Sequence, residues 1–330
     1  MPFTLSHPAA VLPLLSAGRG RGPLIASALV AGSLAPDAPF FVESLLRGTH
    51  PFGRATHHPL AVPTLDVAIA AVLVAGWHGL LREPLVALLP DPWADRADTL
   101  TAPHRRPGRP GTRDRGGAGT PGGPGTFATL GTPGAPGALG ALGTFGTPGA
   151  PGTPRDPGAV GDAGDPGAAA RSSLGLAARF AGSAAIGAAT HVLWDSFTHS
   201  GRCGAKMLPV LERRIGGMPV THALQWGSSA AGLGLLAVAA ARTLRGEPQT
   251  RPRRVVLRPA ARRRALGFIA ASTVAGAVHR ARRELPKLSA RPRPTDLVAA
   301  ASFGGGAGAV AGAVGYALGL RLTSRPAPAT

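Results

Sequence analysis

The 330-residue chain has a single cysteine, Cys203, so neither an intrachain disulfide nor a cysteine-rich zinc site is open to it. Lysine is nearly missing too: Lys206 and Lys287 are the only two, and arginine carries almost all of the +19 formal charge. Aromatic residues make up 5% of the chain. From Arg242 to Arg264 there are nine arginines, one acid and no aromatic side chain on which a base could stack. No known nucleic-acid motif accompanies this charge, so no nucleic-acid partner is expected, and the stretch reads as a positive cytoplasmic loop beside membrane segments. No cleavable leader is expected either. The start, Met1-Pro-Phe-Thr-Leu-Ser-His-Pro, has no positive residue ahead of its apolar stretch, which leaves targeting to the membrane segments themselves.

What is present is apolar and small. Hydrophobic residues form 44% of the chain, and the mean hydropathy of +0.14 is diluted by 48 glycines and 34 prolines. Residues 59–81, 173–198, 219–241 and 295–320 are long and apolar enough to cross a bilayer. Residues 8–17, 23–35 and 265–279 are apolar but short, and Pro36 and Pro39 are expected to end the second of them. If the basic loop 242–264 and the linker 82–172 share the cytoplasmic side, His57 and His199 face one common compartment. The second basic loop, 279–294, conflicts with simple alternation unless 265–279 is a short helix that does not cross.

Between residues 100 and 172 lies a linker in which glycine recurs at every third position from Gly119 to Gly167, broken only at Ala128 and Arg155. The pattern is collagen-like, but a triple helix needs three chains and an intact glycine period. The expectation is a disordered or polyproline-like insert. The fold predicted is therefore all-α: a polytopic membrane helical bundle of about four to six membrane segments with a long disordered Gly/Pro-rich insert. Four regions follow. Residues 1–99 hold N-terminal membrane segments with His/Asp motifs, 100–172 the linker, 173–245 a membrane helix pair, and 246–330 a basic loop with the C-terminal segments.

The feature richest in chemistry is His191-Val-Leu-Trp-Asp195-Ser-Phe-Thr-His199, which closes the 173–198 segment. Steps of four residues drift only about 40° around a helix, so His191, Asp195 and His199 project from one face. Polar groups on a membrane-like helix call for a reason. Two imidazoles and a carboxylate suit a divalent transition metal such as Zn, Mn, Fe or Ni. His7, Asp37 and His57 lie at the ends of other apolar segments, and Asp66 lies inside one. Asp37 and Asp66 are candidates for a catalytic base or for orienting a ligand imidazole; His7, His57, His191, Asp195 and His199 are candidate metal ligands. The bland reading of each is structural: a His/Asp pair cross-linking helices, a capping His7, a Pro-Asp turn at Asp37, and a helix-packing Asp66. Gly304-Gly-Gly reads as close helix packing, since no strand or lysine accompanies it.

The residues M-P-F-T-L-S-H-P-A-A-V-L-P-L (1–14), G-S-L-A-P-D (32–37), T-H (56–57), H-V-L-W-D-S-F-T-H (191–199) and L-Q-W-G-S-S (224–229) resemble the bacterial membrane family catalogued as domain of unknown function 4184. The resemblance spans most of the chain outside the linker and brings no activity with it. Its motif order is in turn similar to that of inner-membrane proteins described as metal-dependent hydrolases. Carried over by motif, that likeness points to His7, Asp37, His57, His191 and Asp195. The chain departs at Ser6, where the broader group has Thr, and at His58, where it has Ser, so His57 and His58 compete for one role.

The reading is a metal-dependent hydrolase embedded in the cell (inner or plasma) membrane, in contact with membrane lipids and acting near their surface on a lipid-like or cell-envelope ester or phosphoester. The alternative is a non-enzymatic membrane scaffold whose buried His and Asp residues are structural. A transporter is a weaker third, because no repeat is visible outside the linker.

Overall fold

The computed structural model describes residues 4–18, 24–101, 166–246, 256–287 and 294–323. Of the linker expected at 100–172, residues 102–165 lie outside the described residues; its two ends are helical, in the last residues of the helix Asp91–Thr101 and the first turns of the helix Pro166–Thr198. The rest is all-α. In chain order, a 3-10 helix at Thr4–Val11 leads into α1 (Leu12–Gly18), α2 (Ala26–Leu34), α3 (Ala38–Val42), α4 (His50–Ala55), α5 (Leu65–Gly76), α6 (Arg82–Val86) and α7 (Asp91–Thr101). Then come α8 (Pro166–Thr198), α9 (Cys203–Met207), a two-residue hairpin β1 (Arg214–Ile215) and β2 (Met218–Pro219), α10 (Val220–Leu244), α11 (Pro259–Glu284) and α12 (Pro294–Thr323). Gly216 and Gly217 take positive φ at that hairpin's turn, as a tight two-residue connection requires.

Four stretches are long and apolar enough to span a membrane: Leu65–Val86, Ser172–Thr198, Val220–Leu244 and Asp296–Thr323. They match the four long segments expected from sequence, with shifted ends. The first begins at Leu65 rather than 59, because the chain turns through 56–64 before α5 starts. It then runs past residue 81 through a π-helical turn, Trp77–Leu81, into α6.

Two expectations are corrected. Ahead of Pro36 the α-helix does end, at Leu34, but helix resumes at once where a polar loop was expected. Pro36 sits in a 3-10 turn, Ala35–Asp37, and Pro39 in the first turn of α3, where a missing N–H is tolerated. The result is a broken helix over Ala26–Val42 with Asp37 at the break. The second correction is α11, which is no short stub. It extends for 26 residues because arginines lengthen an apolar centre at both ends.

Hydrogen bonds mark two ends of the bundle. At one, Arg96 Nε donates to the Thr243 carbonyl (3.2 Å), Arg262 Nε to the Leu88 carbonyl (2.8 Å), and Arg321 to the Gly79 carbonyl. At the other, Ser200 bonds Thr221 (2.7 Å) and Arg280 reaches the carbonyl of Phe40 (3.0 Å). Residues 82–101 thus share an end with the basic start of α11, and the ligand candidates gather at the opposite end.

Glycine sets the two tightest helix crossings. A Cβ on Gly32 would lie 2.1 Å from the Ala184 carbonyl oxygen, and one on Gly187 2.2 Å from that of Leu29, so α2 and α8 touch backbone to backbone. Gly276, Gly304 and Gly308 do the same for α11 and α12, with Gly304 and Gly308 at the four-residue spacing of membrane helix contacts. The core beside the first crossing is small and apolar: Ile25, Ala28, Ala31, Ala35, Ala70, Val74, Phe180 and Ala184.

Candidate metal centre

The site is assembled where the broken helix, the turn after α4, the start of α5 and the end of α8 converge. Asp37, Asp66, His191 and Asp195 have no exposed surface, and His7 and His57 are buried. Three carboxylates in so little solvent would carry a large desolvation cost without a partner. Among the described residues, imidazoles alone lie within ion-pair reach of Asp37 and Asp195, and no Lys or Arg does.

Four atoms close a ring. His57 Nε2 lies 3.5 Å from Asp37 Oδ1 and 3.3 Å from Asp195 Oδ2, and His191 Nε2 lies 3.6 Å and 3.7 Å from the same two oxygens. Ligands about 2.1 Å from a tetrahedral zinc stand roughly 3.4 Å apart, and the four His–Asp separations are close to that value. Three of the four atoms, Asp37 Oδ1, His191 Nε2 and Asp195 Oδ2, are buried without a hydrogen-bond partner.

The remaining polar atoms of these side chains are tied down. His57 Nδ1 donates to the Gly53 carbonyl at 2.7 Å and His191 Nδ1 to the Ser33 carbonyl at 2.7 Å. A carbonyl only accepts, so each Nδ1 carries its proton and each Nε2 is directed at the ring of atoms. Backbone carbonyls on the distal nitrogen are the usual way to fix a ligand imidazole. Thr4 Oγ1 donates to Asp37 Oδ2 at 2.5 Å, and His7 Nε2 lies 3.2 Å from Asp195 Oδ1. Thr56 Oγ1 donates to the Pro36 carbonyl at 2.6 Å, joining the His57 turn to the helix break. The residues present fit a divalent cation. They fall into two triads that share His191, and within each the ligand atoms lie within 4.8 Å of one another: Asp37, His57 and His191; and His7, His191 and Asp195.

Without a metal, the same geometry holds a proton. Burial, the largest influence on His57, lowers its pKa, but the close carboxylates of Asp195 and Asp37 more than offset it and raise it to about 9. A cation and a proton therefore compete for His57 Nε2.

The other candidates fall around this cluster. His7 stacks on the His191 ring at a centroid distance of 3.8 Å. Asp66, in the first turn of α5, is fully buried with neither oxygen bonded, and it lies within electrostatic reach of His57 and His191. His199 stands beside the cluster. Its Nδ1 is 3.2 Å from the Asp195 main-chain oxygen and its Nε2 accepts from Gln225 Nε2 at 3.2 Å, and it belongs to neither triad. His58 is exposed, with its ring used by the Leu60 N–H, so His57 is the buried member of that pair.

The sequence reading missed Thr4, Thr56 and Gln225 and the carbonyls of Ser33 and Gly53. Thr4 and Thr56 lie within motifs already singled out, which was an available signal. The two carbonyls leave no trace in residue types.

The family described as Domain of unknown function (DUF4184) matches residues 1–108 and 169–318. The chain belongs to that family. The gap between the matched blocks falls on the Gly/Pro-rich insert, and all six of the clustered residues, His7, Asp37, His57, Asp66, His191 and Asp195, lie inside the match. No match was found among curated proteins or among solved structures.

Proposed function

We propose that this DUF4184 member is a metal-dependent hydrolase of the cell membrane, with its centre buried at one end of the helical bundle and its substrate drawn from the membrane surface. The observation that carries this reading is the ring of Asp37 Oδ1, His57 Nε2, His191 Nε2 and Asp195 Oδ2, three of them unpartnered, with both imidazoles fixed through Nδ1. Those four residues are the proposed ligands of a divalent transition metal. Two carboxylates and two neutral imidazoles balance a dication, which would take the place of the proton that His57 holds between the two acids in the metal-free site. When bound, such an ion supplies Lewis acidity at a buried site.

His7 orients Asp195 through Oδ1, and Thr4 orients Asp37 through Oδ2. Asp66 serves as proton acceptor, because a buried carboxylate free of hydrogen bonds beside two ligand imidazoles is held for chemistry rather than packing. Asp37, first considered as a base, is assigned to the ligand set. His199 supports the main chain at Asp195 and is not assigned as a ligand. A lipid-like or cell-envelope ester or phosphoester is the substrate class that suits a site at this depth.

The second reading, a scaffold whose His and Asp residues cross-link helices, draws on the same ion pairs. Elemental analysis of protein purified with metals present, together with melting in chelator, separates the two. Hydrolase chemistry requires about one bound ion per chain, lost in His57→Ala and His191→Ala, and hydrolysis of model esters or phosphoesters that Asp66→Asn abolishes while metal is retained. Wild-type protein that carries no metal and melts identically in chelator leaves the scaffold.

A further inference from the structure

Arg82 and Arg280 are the buried arginines among the described residues, and only one has a local explanation. Arg82 bonds Asp98 and Thr101, a short way along the chain at the far end of the bundle. Arg280 belongs to the α11–α12 hairpin, which contributes no candidate ligand. Its Nη1 crosses to the carbonyl of Phe40 (3.0 Å) and to Ser44 Oγ (2.9 Å), while its Nε stays 3.5 Å from Glu284. A buried guanidinium whose hydrogen bonds go to another segment's backbone and hydroxyl is a strut.

The segment it holds leads to the site. Glu43 Oε2 accepts the N–H groups of Thr49 (2.7 Å) and His50 (3.1 Å), capping α4 at its start, and Glu43 Oε1 is 3.4 Å from Arg283 of the same hairpin. Thr49 Oγ1 closes the loop on the Pro39 carbonyl at 2.9 Å. Helix α4 then presents the Gly53 carbonyl that fixes His57 Nδ1. Phe40 completes the linkage: its ring occupies the space a Gly53 Cβ would need (2.3 Å) and lies 5.8 Å from the His57 ring and 5.9 Å from Phe303 of α12. The hairpin therefore grips Phe40 by its backbone through Arg280 and by its ring through Phe303.

The geometry points to Arg280 and Glu43 as positioning residues of the metal centre, through which a ligand-free hairpin sets the placement of His57. The strut itself is independent of the metal reading, and its consequence for metal binding rests on the function proposed above. Groups that only orient a ligand typically change metal affinity 10–100-fold when removed.

The test uses the full chain in detergent, with Arg280→Gln, Arg280→Lys and Glu43→Gln, and with Arg82→Gln as the control. Hydrogen exchange is followed across 49–57, and Co²⁺ is titrated with its visible absorption recorded. Arg280→Gln and Glu43→Gln should exchange faster at 49–57, bind Co²⁺ about tenfold more weakly, and show an altered cobalt spectrum. Arg280→Lys should fall between them and wild type. Arg82→Gln should melt lower with all three readouts unchanged.

Wild-type exchange at 49–57 in both variants overturns the strut. Faster exchange with unchanged cobalt affinity and spectrum overturns the positioning role. Should Arg280→Gln fail to fold, Arg280→Lys and Glu43→Gln decide. A wild-type chain that binds no Co²⁺ overturns the proposed function instead, and the exchange measurement then decides the strut by itself.

Discussion

Two helix pairs in this protein are built on the same contact and carry different loads. In α2–α8 and in α11–α12, glycines let backbones meet where a side chain would collide at 2.1–2.3 Å. The first pair extends into the helix break at Asp37 and the polar end of α8, and so holds Asp37, His191 and Asp195. The second has no candidate ligand, and its charged groups, Arg280 and Arg283, reach outward to the segment before His57. Close packing is thus separable from chemistry. It supplies a fixed spacing, and what that spacing serves depends on which polar groups stand at the end of the pair.

The comparison is broken most severely in the first pair. Gly187→Val places a branched side chain against the Leu29 carbonyl and should cost about 3 kcal/mol or more, with loss of bound metal and of folded yield in size-exclusion chromatography. Gly308→Val meets the Ser272 carbonyl at the same closeness. It should lower the melting temperature comparably but weaken metal affinity only about tenfold, since the ligands stay on the other pair.

Next in size is a contrast between ligand and support. His57→Ala should abolish stoichiometric metal, whereas His7→Ala should weaken it 10–100-fold, because His7 acts on Asp195 through the oxygen that faces away from the ring. Equal losses in competition titrations would move His7 into the ligand set, as the second triad allows.

A pH series sharpens the electrostatic side. His57 has its pKa raised from 6.5 to about 9 in the metal-free protein. Its contribution to stability is therefore fully present below 6.5 and is lost as pH rises through about 9. Metal affinity should climb over the same interval, as the competing proton leaves. Chemical denaturation of metal-free protein and metal titration should give opposite slopes. Parallel slopes would assign the proton elsewhere. The smallest effect is expected at Gly234 in α10, where no atom lies within 4 Å of a built Cβ: Gly234→Ala should stabilise by under about 1 kcal/mol and leave metal untouched.

Much of this was legible in the residues. The four long spans follow from length and apolarity, and His191 and Asp195 from four-residue spacing on a helix. Asp37 and His57 were marked by their motifs, but their roles depended on where a broken helix and a loop would meet. Pro36 and Pro39 read as stop signals, because local sequence does not show that the chain resumes its course after each. The helix at α11 is longer than its apolar stretch 265–279 suggested, because arginines extend it at both ends while keeping it out of the four candidate spans. Arg280 is one guanidinium among many in the sequence, and only its burial beside Phe40 sets it apart. His199 shared the spacing of its neighbours, yet its ring turned to Gln225.

The broken helix has a further consequence. In a 3-10 turn each carbonyl is met by the N–H three residues ahead, and proline has none to give. Three residues before Pro36 is Ser33, whose carbonyl receives His191; three before Pro39 is Pro36, whose carbonyl receives Thr56. Each proline thus creates a vacancy in the main chain, and each vacancy is filled by a side chain from a distant segment. What looks like damage to a helix is a pair of sockets, placed by composition at positions 33 and 36, into which the rest of the site is plugged.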